Sequence, residues 1–278
     1  MSTHMMLHCG GMSATFEDIC QIEPPEATAT YRPVLHGDLV RLVEEEMHAR
    51  FRLKNPVKQF GLNREGKQMF GSLTYNLNES TDVDLSAFTA RDVANPGGMD
   101  MFDRYGFSIV MRNAYDKSMS VGLAGGTRTF ICDNMAITGN SFRVMRRHTK
   151  NVWEDVVPMV MGKVREVAGD YGNTVRFQDS MKDKFVSLDR GYEVIGLARG
   201  TGVLTANQMG VAIDEWRSAR QDKDHNFHSD RDNAYGLYNA FTHGLKLGHV
   251  GRKIDEYTGA SKLFEDLGYA SVSDAEII

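Results

Sequence analysis

Cysteine is scarce in this chain. Cys9, Cys20 and Cys132 are an odd, widely spaced set among 278 residues, with no CxxC pair. This excludes a disulfide scaffold and a cysteine-zinc site and points to a reducing compartment. Long apolar runs are missing too. The longest are a few residues, far short of the ~18 that a membrane-spanning helix needs, so no membrane partner is expected. The opening MSTHMMLHCGGM has neither the basic start nor the apolar stretch of a secretory signal. The expected location is therefore the cytoplasm.

Common catalytic signatures are also lacking. GLAGGTR, residues 122–128, has three glycines but no following GK[ST], and it lies between strand-like segments rather than ahead of a helix. That excludes a Walker loop and a dinucleotide turn. A tight hairpin turn at Ala124-Gly125-Gly126, with a close backbone approach, explains the glycines sufficiently. No GxSxG occurs, and Ser118 and Ser120 have no obvious paired base. Asp116 and Asp133 can be read as paired carboxylates, but each has a basic neighbour, Lys117 or Arg112, to neutralise it. No cofactor is expected.

The composition that remains, 41% hydrophobic and 25% charged, is that of an ordinary globular chain. Net charge is −5 but unevenly spread. Residues 104–150 hold eight basic side chains (Arg104, Arg112, Lys117, Arg128, Arg143, Arg146, Arg147, Lys150) and only Asp116 and Asp133 as acids, a net +6 that leaves −11 for the remainder. A basic block in an acidic protein reads as an anion-binding face. The competing reading is that these charges pair with the acidic remainder.

Hydrophobic periodicity divides the chain by layer. Residues 1–35 read as an irregular arm laid over the core or a partner. Leu39, Leu42, Val43, Met47 and Phe51 recur at helical spacing over 36–51, with Asp38 as the expected N-cap. Strands are expected at 57–63, 68–77, 104–115, 118–124 and 127–137, separated by a turn at Arg64-Glu65-Gly66 and by a polar loop over 78–98 that contains Asn95-Pro96-Gly97-Gly98. Helical spacing then returns at 151–169, around 185–197, at 204–220 with Thr205 as cap, at 233–249, and in a tail within 261–278. Strands followed by helices define an α+β class, with a mostly antiparallel sheet of about five strands in residues 57–137. The chain reads as one domain over 1–278: the arm (1–35), a helix plus sheet (36–140) and a helical layer (141–278). The change near 140 is a change of layer rather than a domain boundary.

Two clusters carry chemistry. FRVMRRHTK, 142–150, is the densest basic run, and its arginines can grip phosphate oxygens in pairs. Tyr105, Phe107, Tyr115 and Phe130 alternate through the same region. Outward-facing rings would stack on bases, although Phe107 and Phe130 read better as core. The second cluster is HNFHSDRD, 225–232. His225, His228 and Asp230 are candidate ligands for a divalent metal, with His243 on the following helix, but the spacing matches no established ligand motif. A solvated loop with an Asp or Asn cap explains it better.

The stretches HCGG (8–11), PEATATYRP (25–33), RNAYDKSMSVGLAGGTRTFICDN (112–134), RRHTKN (146–151) and NAYGLYNAFTH (233–243) together resemble the phage- and plasmid-borne family called domain of unknown function 932. The chain departs from that pattern at Tyr115, where many relatives carry histidine, and at His243, where many carry an acid. The resemblance implies a mobile-element origin in a bacterial cytoplasm and a role in replication, recombination or evasion of host defence. It implies no particular activity.

The leading functional expectation is an accessory protein, not an enzyme, that binds nucleic acid, with single-stranded DNA as the candidate, and forms homo-oligomers. Arg112, Lys117, Arg128, Arg143, Arg146, Arg147 and Lys150 would contact phosphate and Tyr115 would stack. The alternative is an inhibitor that binds a host defence or regulatory protein through the acidic remainder. A metal-dependent hydrolase using His225, His228 and Asp230 ranks third.

Overall fold

The computed structural model describes residues 12–75, 105–129, 134–136, 143–164, 167–248 and 252–271. The expected loop at 78–98 and the positions of Phe130, Cys132 and Asp133 lie outside the described residues. Among the described residues seven strands form one antiparallel sheet: β1 (Met12–Ala14), β2 (Val57–Asn63), β3 (Gln68–Tyr75), β4 (Tyr105–Ala114), β5 (Val121–Thr129), β6 (Asn134–Ala136) and β7 (Arg143–Arg146). Each of the first five pairs with the next, and β6 and β7 both pair with β5, at its opposite ends. Among the described residues the helices are α1 (Phe16–Gln21), α2 (His36–Phe51), α3 (Val152–Val164), α4 (Val167–Ser180), α5 (Leu188–Gly200), α6 (Ala206–Gln221), α7 (Ala234–Leu245) and α8 (Lys253–Asp266). This is an α+β protein with its helices concentrated in the second half.

Alternation along β4 shows that the sheet is covered on both faces. Asn113 reaches the start of α2, and its neighbour Arg112, on the opposite face, reaches Asp255 of α8. The whole of β3 is buried, as a strand covered on both sides should be. One hydrophobic cluster runs from Ile19 in α1 through the sheet to Phe264 in α8. The N-terminal arm belongs to it. Its α1 starts with a capping box between Thr15 and Asp18, and the Phe16 ring packs 6.3 Å from that of Phe60 in β2.

Several sequence expectations need correction. No turn forms at Ala124-Gly125-Gly126. These residues lie inside β5, paired with Val110, Ile109 and Ser108 of β4. The chain reverses earlier, at Tyr115–Ser120. Gly122 serves a close approach instead, since a Cβ there would lie 3.1 Å from Nε of Arg112. Asp38 does not cap α2. Leu35 occupies that position without a side-chain bond, and Asp38 pairs with Arg41 at 2.9 Å. The helical pattern of 151–169 is shared between α3 and α4, with Pro158 inside α3. Thr205 does cap α6, in a capping box with Gln208.

Helices α6 and α7 pack at van der Waals distance. A Cβ on Gly244 would come within 2.6 Å of the Gln208 backbone carbonyl oxygen, an atom that cannot turn aside as a side chain could. Gly244→Ala is therefore expected to lower unfolding stability by about 1–2 kcal/mol, overpacking outweighing the better helix propensity of alanine. Urea unfolding should show a lower midpoint at unchanged slope, whereas an unchanged or higher midpoint would mean that the two helices are not in close contact.

Candidate phosphate-binding pocket

The connection between β4 and β5 is held from several sides. The Tyr115 backbone N–H donates to the Lys67 carbonyl (2.7 Å), extending the sheet contact to the β2–β3 turn. Asp116 then organises the reversal. Its Oδ1 accepts from the Ser118 backbone N–H (3.0 Å) and hydroxyl, and its Oδ2 accepts from Arg64 Nη1 (2.9 Å) and Gln68 Nε2 (3.1 Å). Burial would raise the Asp116 pKa, but these hydrogen bonds and the Arg64 charge hold it below the usual carboxylate value. Between these anchors Lys117 adopts φ +62, the left-handed region that side chains other than glycine rarely occupy.

The N-terminal arm closes over this turn. Tyr31 Oη donates to the Tyr115 carbonyl (3.1 Å), and Nζ of Lys117 sits 4.4 Å from the centre of the Tyr31 ring. The Val34 backbone N–H donates to Nδ1 of His148 (3.4 Å), beyond β7, so three distant parts of the chain meet. Burial holds His148 below its ordinary pKa, opposed by a backbone contact with Arg32. Tyr31, Lys117, Ser118, Met119, Ser120, Arg147 and His148 line a cavity of ≈ 690 Å³. Among the described residues its formal positive charges are Lys117 and Arg147. Both are exposed and, among the described residues, neither pairs with a carboxylate. The nearest acid in sequence, Asp116, is turned to Arg64, Gln68 and Ser118.

A buried polar triad lies behind the pocket. His36, fully buried at the start of α2, donates from Nε2 to the Gly66 carbonyl (3.0 Å) and accepts at Nδ1 from Asn113 Nδ2 (2.9 Å). The same amide nitrogen donates to the Val34 carbonyl (2.6 Å), which fixes its orientation. The Tyr115 ring stacks on His36 with centroids 3.9 Å apart and planes 9° off parallel, and its Oη accepts the His36 backbone N–H (3.0 Å). The tautomer is thereby set, and a second ring proton would meet the N–H of Asn113 head on.

The eight residues expected to bind nucleic acid separate into three groups. Lys117, Arg147 and Lys150 are exposed, the first two in the pocket. Arg143 and Arg146 belong to β7 and Arg128 to β5, and their side chains lie outside the described set. Arg112 and Tyr115 require correction. Arg112 is buried with Nη1 3.6 Å from Asp255, and Tyr115 is buried against His36, so neither can offer an open face to a phosphate or a base. The candidate metal ligands are also dispersed. His225 faces Glu215 (3.2 Å), His228 bonds the Ala219 carbonyl (2.9 Å), and Asp230 accepts from Asn233 (3.0 Å) ahead of α7. Among the described residues no group of three or more His, Cys, Asp or Glu is placed to hold a metal ion. Tyr31 and the His36–Asn113 pair carried no sequence signal, because their partners are some 80 positions away in the chain.

The fold and pocket define an α+β protein with a cationic recess at one sheet turn. Comparisons with protein-family models, curated proteins and solved structures find no match. The resemblance to the domain of unknown function 932 thus rests on the quoted motifs alone.

Burial lowers the His36 pKa from 6.5 to about 4. The unfolded chain then binds a proton that the folded chain refuses, so this contribution is complete above pH 6.5 and is lost as pH falls towards 4. Wild type should lose roughly 2–3 kcal/mol over that window beyond any loss in His36→Gln. Urea titrations at several pH values read the difference directly, and parallel pH profiles for the two proteins would show that His36 is not buried neutral.

Proposed function

We propose that this protein binds nucleic acid through the basic rim of the pocket, with Lys117, Arg147 and Lys150 contacting its phosphates. The observation that carries this reading is the convergence of Lys117 and Arg147 on one cavity without carboxylate partners. Cations held this way attract polyanions, and each phosphate they neutralise releases counterions. Residues 143–146 of the same basic run form β7, paired with residues 121–124 of β5, and lead directly to Arg147 in the pocket wall. Single-stranded nucleic acid suits the arrangement better than duplex, because a turn-borne recess can follow a flexible backbone. No helix among the described residues is long and apolar enough to cross a membrane.

Anisotropy of an internally labelled single-stranded oligonucleotide, measured over a salt series, tests the proposal. Binding should be clear at low salt and weaken linearly on logarithmic axes. Lys117→Glu combined with Arg147→Glu should reduce the slope by about 1.4, the share of two phosphate contacts on a single strand. Absence of binding at low salt, or binding indifferent to salt, would overturn the reading.

A further inference from the structure

We infer that the pocket is selective for a phosphomonoester, carried on the end of a nucleic-acid strand or on a free mononucleotide, rather than for the phosphodiesters along a strand. This rests on the nucleic-acid reading only for the first of those two sources.

The argument starts from charge. A phosphomonoester carries −1.5 to −2 at neutral pH and offers three terminal oxygens, whereas a backbone phosphodiester carries a single charge. Lys117 and Arg147 supply two formal positive charges to one cavity, a match to a dianion. Their chemistry is complementary, since arginine presents a planar fork to two oxygens and lysine a compact charge to the third. Ser120 also lines the cavity and makes no hydrogen bond among the described residues, so its hydroxyl is free to donate. Ser118 is different. It donates to Asp116 and accepts from Gln68 Nε2 (2.6 Å), so it shapes the wall and has no proton left for a ligand.

Size and lining agree with this class. At ≈ 690 Å³ the cavity is far larger than a phosphate and falls within the range of small-molecule sites. Half-buried Met119 gives it an apolar wall for whatever the phosphate is esterified to, while Tyr31, buried beneath Lys117, serves to place the ammonium. The left-handed backbone of Lys117 sets where its ammonium lies, and four bonds to Asp116 maintain the turn that imposes it.

The experiment compares wild-type binding to internally labelled oligonucleotides of one sequence bearing a 5′-phosphate, a 3′-phosphate or hydroxyl ends, and to the same strand closed into a circle. In parallel, calorimetry measures thymidine 5′-monophosphate against thymidine. One phosphorylated end should bind at least about fivefold more tightly than the hydroxyl-ended and circular strands, and thymidine should bind far more weakly than its monophosphate. Lys117→Gly, which suits the positive φ and so keeps the turn, and Arg147→Ala should each abolish the preference. If all strands bind within about twofold of one another with a normal salt slope, the inference is overturned and the nucleic-acid reading survives. If no strand binds but the monophosphate does and Lys117→Gly loses it, the pocket assignment holds for a free mononucleotide and the nucleic-acid reading falls. If neither strands nor the monophosphate bind, both are overturned.

Discussion

The Asn113 side-chain amide is the bond on which the rest of the pocket depends. One nitrogen on β4 donates both to the Val34 carbonyl in the arm and to Nδ1 of His36 at the start of α2. It therefore locks arm, helix and sheet together in a site fully closed to water. A donor left unmatched there would cost about 1–3 kcal/mol, so the three segments hold one another in register. Tyr115, two residues along the same face, stacks on His36 and positions the turn that follows. Without this clamp the arm would have no reason to place Tyr31 beside Lys117.

Charge in the molecule divides by burial. Inside, Arg112 faces Asp255 and His36 is held neutral, so the sheet carries polar groups without isolated charge. At the turn, Asp116 takes up Arg64 and leaves Lys117 without a carboxylate among the described residues. One acid thus sets the geometry of the recess without cancelling its positive charge. The described part of the basic block seen in the sequence is in this way two things: a structural arginine under the sheet and a smaller set of cations at its surface.

Much of the fold was legible beforehand. The 3.6-residue spacing of Leu39, Val43 and Met47 located α2, because burial on one face leaves a period in the sequence, whereas the composition and length of QMFGSLTYNL located β3. Thr205 announced its helix through local capping chemistry. The reversal between β4 and β5 was misplaced because Gly125 and Gly126 are also what a tight turn uses. Side chains of β4 pressing on β5, as Arg112 does on Gly122, are a tertiary cause that no local pattern records. Of the site, Lys117, Arg147 and Lys150 were visible as charge. Tyr115 and Arg112 looked the same in sequence and turned out to be interior.

Composition, charge spacing and periodicity were enough to define an α+β chain with a cationic segment at 104–150, since these depend on neighbours within a few turns or strand residues. Which of those cations stay at the surface was decided by the tertiary structure alone. Residues 31–36, 64–68, 113–120 and 147–148 meet only after the arm crosses the sheet edge, and burial then separates charges that are equivalent along the chain into those that must be paired and those left free to bind.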